Sequence, residues 1–317
     1  MAALFFYGLY NNGQGFSDDL VGDAQGVSNI ETGVRAARVY EAWIEQRIGR
    51  TSVKLGLYDL NSEFDTNDTG SLFLNSSHGI GSDFAQSGRN GPSIFPVTSL
   101  ALRADYRVDD QWLMRLAVLD GVPGDPDRPR RTAIKLSSED GALIIGEAEY
   151  RTADTKAILG YWHYTASFTP FDAALPGKRP GNDGLYMMVE RRLSRAGTDG
   201  ARGLSGWVRL GLANDRFNPI DQHLSGGLVY TGPTAGRPED QLGIAVSLAQ
   251  FGEPYRAARA AAMTPSTGSE INIEASYRAV LRPWLTVQPD VQYVVNPGGD
   301  PGIGDALVIG LRTQLSF

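Results

Sequence analysis

The sequence predicts an all-β protein, and within that class a transmembrane antiparallel up-and-down β-barrel. Three observations lead to this prediction. Apolar and polar residues alternate with a period of two in segments of about ten residues. About fourteen such segments occupy near half of the chain, which is roughly twice the strand content of soluble proteins. Long and tight connections between the segments also alternate along the chain, as they do in bacterial barrels.

The period-two alternation is clearest in the last segment of the chain. Leu307, Ile309 and Leu311 fall on one face, whereas Arg312 and Gln314 fall on the other. An apolar face suits lipid and a polar face suits a water-filled lumen. In chain order, the predicted strands cover residues 2–10, 36–48, 52–60, 97–107, 111–120, 142–151, 156–167, 184–193, 203–213, 221–231, 240–251, 269–281, 284–295 and 305–317.

The connections between these strands are sorted by length. Tight turns are expected at 49–51, 108–110, 152–155 and 282–283, and long connections at 11–35, 61–96, 121–141, 168–183 and 252–268. The connections 194–202, 214–220 and 232–239 blur this order without reversing it. Bacterial barrels have short periplasmic turns and longer external loops, whereas a soluble sandwich has no reason to sort its loops in this way. We therefore expect the tight turns on the periplasmic side and 61–96 on the outer side.

Composition excludes several classes of protein. The net charge of -7 argues against a nucleic-acid binder, which would carry a basic footprint. The absence of cysteine excludes disulfides, thiolate metal sites and cysteine nucleophiles. The longest stretches without a charged residue, 157–171 and 222–236, are too short for a membrane helix.

The polar faces of the predicted strands carry acidic and basic residues in nearly equal number. A phosphate pore would concentrate basic residues and a cation pore acidic ones, so a mixed lumen suits a neutral polyhydroxylated solute. Carboxylates and guanidinium groups can hydrogen-bond hydroxyls, and an indole ring can lie against a sugar ring. Alternatively, each residue only pairs with a neighbour and solvates the wall. The residues predicted to line the pore and bind substrate are Glu41, Trp43, Glu45, Arg103, Asp105, Arg107, Glu147, Trp162 and Arg209.

The sequence contains no recognisable catalytic motif. No nucleophile elbow, phosphate loop or dinucleotide fingerprint is present. Carboxylate pairs such as Glu147 with Glu149 are too common here to indicate a glycosidase. His78, His163 and His223 lack the spacing of metal ligands. We expect no enzymatic activity, no cofactor and no metal.

Eight stretches together carry a resemblance to a known family. They are VGDAQGVSNIE at 21–31, YEAWIEQ at 40–46, GLYDLNSEFD at 56–65, LFLNSSHGIG at 72–81, GPSIFPV at 91–97, DGVPGDP at 120–126, GLVYTG at 227–232 with GRP at 236–238, and QPDVQY at 288–293. In this order they resemble the carbohydrate-selective porin (OprB) family over essentially the whole chain. Each stretch is weak alone, but their joint specificity is high.

The resemblance implies a Gram-negative outer-membrane barrel of sixteen strands that lets glucose and similar sugars diffuse passively. Fourteen strands are visible. From the resemblance we expect that roughly the first two strands, which the family carries before Leu4, are missing from this sequence. Residues 1–317 are expected to form a single domain. By the same resemblance, the long connection 61–96 is a candidate constriction loop; the alternative is an external cap.

Alternative functions remain open at this point. They are a general diffusion porin without a sugar site, an outer-membrane barrel enzyme such as a lipase or protease, and a soluble β-rich sugar-binding or structural protein. The expected partners are glucose-like carbohydrate solutes, the lipid bilayer and lipopolysaccharide, with no nucleic acid. Whether the protein is a monomer or a homo-oligomer stays open.

Overall fold

The structure, a computed structural model, describes residues 2–196, 202–234 and 236–317. These residues form one fourteen-stranded sheet in which each strand pairs antiparallel with the next along the chain, so the predicted up-and-down order is confirmed. No helix in the described part is both long enough and apolar enough to cross a membrane. The strands are β1 (Ala2–Asn11), β2 (Ala36–Ile48), β3 (Thr51–Tyr58), β4 (Ser99–Arg107), β5 (Trp112–Asp120), β6 (Ala142–Arg151), β7 (Thr155–Tyr164), β8 (Asn182–Arg192), β9 (Gly203–Ala213), β10 (Ile220–Thr231), β11 (Gln241–Phe251), β12 (Ser269–Arg282), β13 (Leu285–Val295) and β14 (Ala306–Leu315).

The predicted strand ends differ from the observed ones by a few residues. The largest difference is in β7, which was predicted to reach residue 167 but ends at Tyr164. Just beyond it, Phe168 pairs with Arg179, so the chain leaves the sheet to form a small hairpin of its own. Two α-helices in the connections were not predicted, α1 (Ser82–Ala85) and α2 (Glu253–Ala261). The connection predicted at 194–202 lies partly outside the described residues.

The two faces of the sheet have opposite character. On the outer face, apolar side chains such as Leu102 and Ile309 are 51% and 77% exposed. On the inner face, charged side chains such as Arg103 and Glu274 are buried. A soluble protein shows the reverse distribution, whereas a barrel places its apolar face against hydrocarbon. Exposed aromatic residues flank this apolar band, with Tyr106, Trp112 and Trp284 near the tight turns and Tyr10, Tyr161 and Tyr293 near the long connections.

Consecutive connections lie at opposite ends of the sheet, and connections at the same end contact one another. At the tight-turn end, the backbone N–H of Arg151 donates to the carbonyl of Gln111 at 2.8 Å. At the long-connection end, the Arg89 guanidinium lies 2.8 Å from the Asp140 carboxylate. The length sorting expected from the sequence therefore corresponds to two distinct rims. It has exceptions: the short connection 214–219 lies at the long-connection end, and the longer connection between β10 and β11 lies at the tight-turn end.

Single cysteines test which rim faces the periplasm, because the natural chain has none. Ala153 lies in a tight turn and Ala173 in a long connection, and both are exposed. We expect a bulky maleimide added to intact cells to label Ala173→Cys but not Ala153→Cys, since external loops are the longer ones. The unmodified chain is the control for background labelling. Labelling of both variants, or of Ala153→Cys alone, would contradict this orientation.

Candidate functional site

The connection between β3 and β4, residues 59–98, folds into the barrel, and we call it the inner loop. It leaves the long-connection rim after β3 and descends to the tight-turn rim at Asp68. There the Asp68 carboxylate lies 3.0 Å from Arg151 and 3.4 Å from Lys156. It then returns, and the Ser87 hydroxyl meets that of Tyr164 at 3.2 Å near the long-connection rim. The inner loop therefore runs through the depth of the lumen.

Carboxylates on the barrel wall hold the backbone of the inner loop. Glu147 on β6 accepts a hydrogen bond from the Asp65 N–H at 2.8 Å. Glu190 on β8 accepts from Asp68 N–H at 3.1 Å and from Thr69 N–H at 2.6 Å. Glu274 on β12 accepts in the same way from two consecutive N–H groups, those of Leu74 at 2.5 Å and Asn75 at 3.0 Å. Each of these carboxyl groups pairs with one or two backbone N–H groups that are shielded from water, so three separate strands fix the path of this loop.

Aromatic packing fixes the other side of the inner loop. Phe84 of α1 is fully buried and stacks on Trp162 of β7, with ring centroids 5.2 Å apart and planes at 12°. Phe73 packs against Trp207 of β9, with centroids 5.3 Å apart. These rings form an apolar core between the inner loop and the barrel wall. Trp162 and Trp207 belong to that core.

Glu63 of the inner loop is the centre of an ionic cluster with β3 and β4. Its two carboxylate oxygens each lie 2.7 Å from Arg103, on Nε and Nη2, and Lys54 Nζ lies 2.8 Å away. Burial raises the pKa of Glu63, but the hydrogen bond and charge of Arg103, with those of Lys54, outweigh it and lower the pKa to about 2. Glu63 is therefore ionised at neutral pH and holds the loop against the wall.

The ionic contacts continue around the wall from β2 to β9. Arg103 also contacts Glu45 at 3.4 Å and Asp105 at 3.2 Å. Arg115 then bridges Asp105 at 3.1 Å and Glu147 at 3.2 Å. On β9, the Arg209 guanidinium donates to both carboxylate oxygens of Asp65 and lies 2.7 Å from Asp83. Both acids belong to the inner loop. The charged groups of the lumen are thus paired with one another, some between neighbouring wall strands and others between the wall and the inner loop.

The inner faces of β1 and β2 carry an aromatic surface that is exposed to solvent and not covered by the inner loop. Phe5 stands opposite Trp43 in the strand register, and their rings stack with centroids 4.9 Å apart. Phe5 is 41% exposed and Tyr7 is 44% exposed. Lys54 Nζ lies 4.2 Å from the Trp43 ring centroid, and the indole N–H of Trp43 donates to Glu41 at 3.2 Å. This surface combines flat apolar rings with Lys54 and Glu41 at its edge. Both charged side chains are buried and also bond the inner loop, Lys54 to Glu63 and Glu41 to the Asp59 N–H.

The nine residues predicted to bind substrate therefore fall into different settings. Glu41 and Trp43 belong to the aromatic surface, and Glu41 also accepts a hydrogen bond from the inner loop at Asp59 N–H. Arg103, Glu147 and Arg209 contact the inner loop directly. Glu45 and Asp105 pair with arginines of the wall. Arg107 is exposed at the tight-turn rim and lines a cavity of about 270 Å³. Trp162 is fully buried beneath Phe84. Direct contact of these residues with a solute stays a prediction.

Sequence reasoning missed Tyr40 and Phe5 on the inner face, and a β-bulge explains the first of them. The register between β1 and β2 shifts between Tyr7 and Gly8, so Tyr40 has no residue opposite it. Both Tyr40 and the next residue, Glu41, are buried on the inner face, and the Tyr40 hydroxyl donates to Asp59 at 2.6 Å. A strict period of two cannot show this, because a bulge inserts one residue. Phe5 was detectable only by aligning it with Trp43 across the β1–β2 hairpin.

Comparison with known proteins gives one family. The model of the carbohydrate-selective porin, OprB family, matches residues 4–317. Porin B of Pseudomonas aeruginosa is 24% identical, with 96% of this chain and 75% of that protein covered. A putative porin named QuiX from Acinetobacter baylyi is 21% identical, with 88% of this chain and 69% of that protein covered.

Solved structures show the same fold. The high-pH structure of Pseudomonas putida OprB superposes with a TM-score of 0.86 at 22% identity, covering all of this chain and 83% of that one. A triple mutant of Rhodopseudomonas blastica porin superposes with a TM-score of 0.52 at 10% identity, covering 90% of this chain and 78% of that one. Both likenesses concern the fold alone.

Proposed function

This chain belongs to the carbohydrate-selective porin (OprB) family, and from that premise we propose that neutral sugars such as glucose cross its lumen along the aromatic surface of Phe5, Tyr7 and Trp43. The protein is a sugar-selective porin of the bacterial outer membrane, and its family is one of channels rather than of enzymes. The observation that carries the proposal is the exposed Phe5–Trp43 stack, flanked by Lys54 and Glu41.

The chemistry of this surface suits a monosaccharide. The C–H face of a sugar ring can lie on an aromatic ring, while the hydroxyls at its edge meet charged groups. Each such hydrogen bond replaces one with water and contributes only about 0.5–1.5 kcal/mol. A pore needs binding that is favourable enough for entry and weak enough for exit. A few weak contacts on one open surface meet that requirement better than an enclosed pocket would.

The inner loop is the proposed constriction of this pore. It fills the lumen beside β3 to β13, which leaves the surface of β1 and β2 as the side open to solutes. Arg103, Glu147 and Arg209 are then positioning residues, because they fix the loop and are at most 4% exposed themselves. Trp162 has the same role through Phe84.

The surroundings of the barrel follow from the same proposal. The outer apolar face, which includes Leu102 and Ile309, would meet the hydrocarbon of the bilayer. The long-connection rim would face the exterior, where lipopolysaccharide forms the outer leaflet. The carboxylate pairs of the lumen would have structural rather than catalytic roles, since they accept hydrogen bonds from the inner loop.

Replacing Trp43 with alanine tests the aromatic surface. We expect the concentration of glucose that half-blocks the ion current to rise about three- to tenfold, because an aromatic contact of this kind contributes about 0.5–1.5 kcal/mol. The measurement is single-channel conductance in planar bilayers. Trp112→Ala is the matched control, since Trp112 lies on the outer face and is also partly exposed. An unchanged block in Trp43→Ala, or an equal loss in both variants, would exclude the proposed surface.

A further inference from the structure

A second cavity lies at the long-connection rim, away from the aromatic surface. It has a volume of about 490 Å³, within the range of about 300–1,000 Å³ that small-molecule sites occupy. The end of the inner loop, the connection 121–141 and the start of β2 enclose it. Much of its wall is apolar and rigid, and includes Phe95, Pro96, Pro123 and Pro126. We call this space the outer pocket.

Arg38 of β2 lines the outer pocket and is only 7% exposed. Its Nη2 donates to the carbonyl of Pro129, and its Nη1 lies 3.4 Å from the side-chain oxygen of Asn11. Its Nε, however, is buried and has no hydrogen-bond partner among the described residues. A buried donor without a partner costs about 1–3 kcal/mol, so an arginine held in this way calls for an acceptor that the chain itself does not supply.

The outer pocket contains a second guanidinium group, and few carboxylates balance the two positive charges. Arg131 lines it, is exposed, and forms no side-chain hydrogen bond or ion pair in the described part of the chain. Asp125 is the one carboxylate among the lining residues, and it lies 3.4 Å from Lys135. The segment carrying Arg131 is fixed to β2, because Val39 N–H donates to the Thr132 hydroxyl at 2.8 Å. Two arginines therefore converge on an apolar cavity with a net positive charge.

We propose that the outer pocket binds a carbohydrate bearing a carboxylate, that is, a sugar acid. The carboxylate accepts hydrogen bonds from Arg38 Nε and from the Arg131 guanidinium, which suits the planar geometry of both groups. The sugar ring lies against Phe95 and the prolines. This assignment goes beyond the neutral-sugar path, because it concerns a separate set of residues at the entrance rather than in the lumen.

Equilibrium binding to the detergent-solubilised full chain tests the assignment without relying on transport. The probe is glucuronate, titrated in saturation-transfer NMR, with glucose as the neutral counterpart. We expect Arg131→Gln and Arg38→Lys each to raise the Kd for glucuronate about tenfold, because each loses a charge-assisted hydrogen bond, while binding of glucose changes little. Arg38→Lys keeps the charge and removes Nε, so it separates the hydrogen bond from general electrostatics.

The matched control is Arg130→Gln, which removes the same charge from the same connection but outside the lining of the outer pocket. It should leave the Kd for glucuronate within about twofold of the parent value. An equal loss in Arg130→Gln and Arg131→Gln would mean diffuse attraction by a basic rim and would overturn the site. Absence of glucuronate binding to the parent chain would overturn it as well. Neither result bears on glucose block in the lumen, which depends on Trp43.

Discussion

Replacing Arg209 with alanine should lower the free energy of unfolding by about 3–5 kcal/mol and release the inner loop from the wall at β9. Arg209 lies between Asp65 and Asp83, and the side chains of both acids are fully buried. Removing the cation leaves two buried carboxylates without a counter-charge, which costs far more than the loss of a surface pair. Urea unfolding in detergent measures the free energy of unfolding. Single-channel recording detects release of the loop as a larger or noisier ion current.

The control for this change is Arg195→Ala. Arg195 also contacts an acid, Asp154, at 2.5 Å, but both side chains are about half exposed. Exposed pairs contribute little because water and salt screen them, so we expect little measurable change. Combining Arg209→Met with Asp65→Asn and Asp83→Asn should restore part of the stability, since no uncompensated charge remains. Equal effects of Arg209→Ala and Arg195→Ala would show that Arg209 does not hold the loop.

Placing an arginine at Ile309 should lower the free energy of unfolding in a lipid bilayer by about 2–4 kcal/mol. Ile309 lies in the middle of β14, is 77% exposed and points away from the inner face. There the new charge would lie in hydrocarbon, where it is poorly solvated. The next residue, Gly310, stands opposite Asp290 on the inner face, and Gly310→Arg is the matched control. Similar costs at both positions would mean that the outer face does not contact lipid.

The fold was predictable because it depends on local patterns. The alternation in β14 and the tight turn at Gly49 and Arg50 are both readable within about ten residues. The family resemblance added the expected function. The bulge beside Tyr40 was not readable, because it depends on how β1 aligns with β2 rather than on either strand alone.

The path of the inner loop could not be derived from the residues for a different reason. Glu274 holds the N–H of Leu74, two hundred positions earlier in the chain, and no local pattern encodes that contact. Alternation correctly assigned Arg103 and Glu147 to the inner face. It could not show that both are saturated by neighbours such as Glu63 and Arg115, because the side of a strand does not specify a side chain's partner.

The central claim, a lumen that binds neutral sugar weakly on the way through, is tested most directly by glucose titration of the unmodified protein in a planar bilayer. We expect open single channels whose ion current falls in a saturable way as glucose rises into the millimolar range, since a bound sugar occupies the open side of the constriction. A current that stays constant, apart from the effect of solution viscosity, would contradict a sugar site and indicate a general diffusion pore.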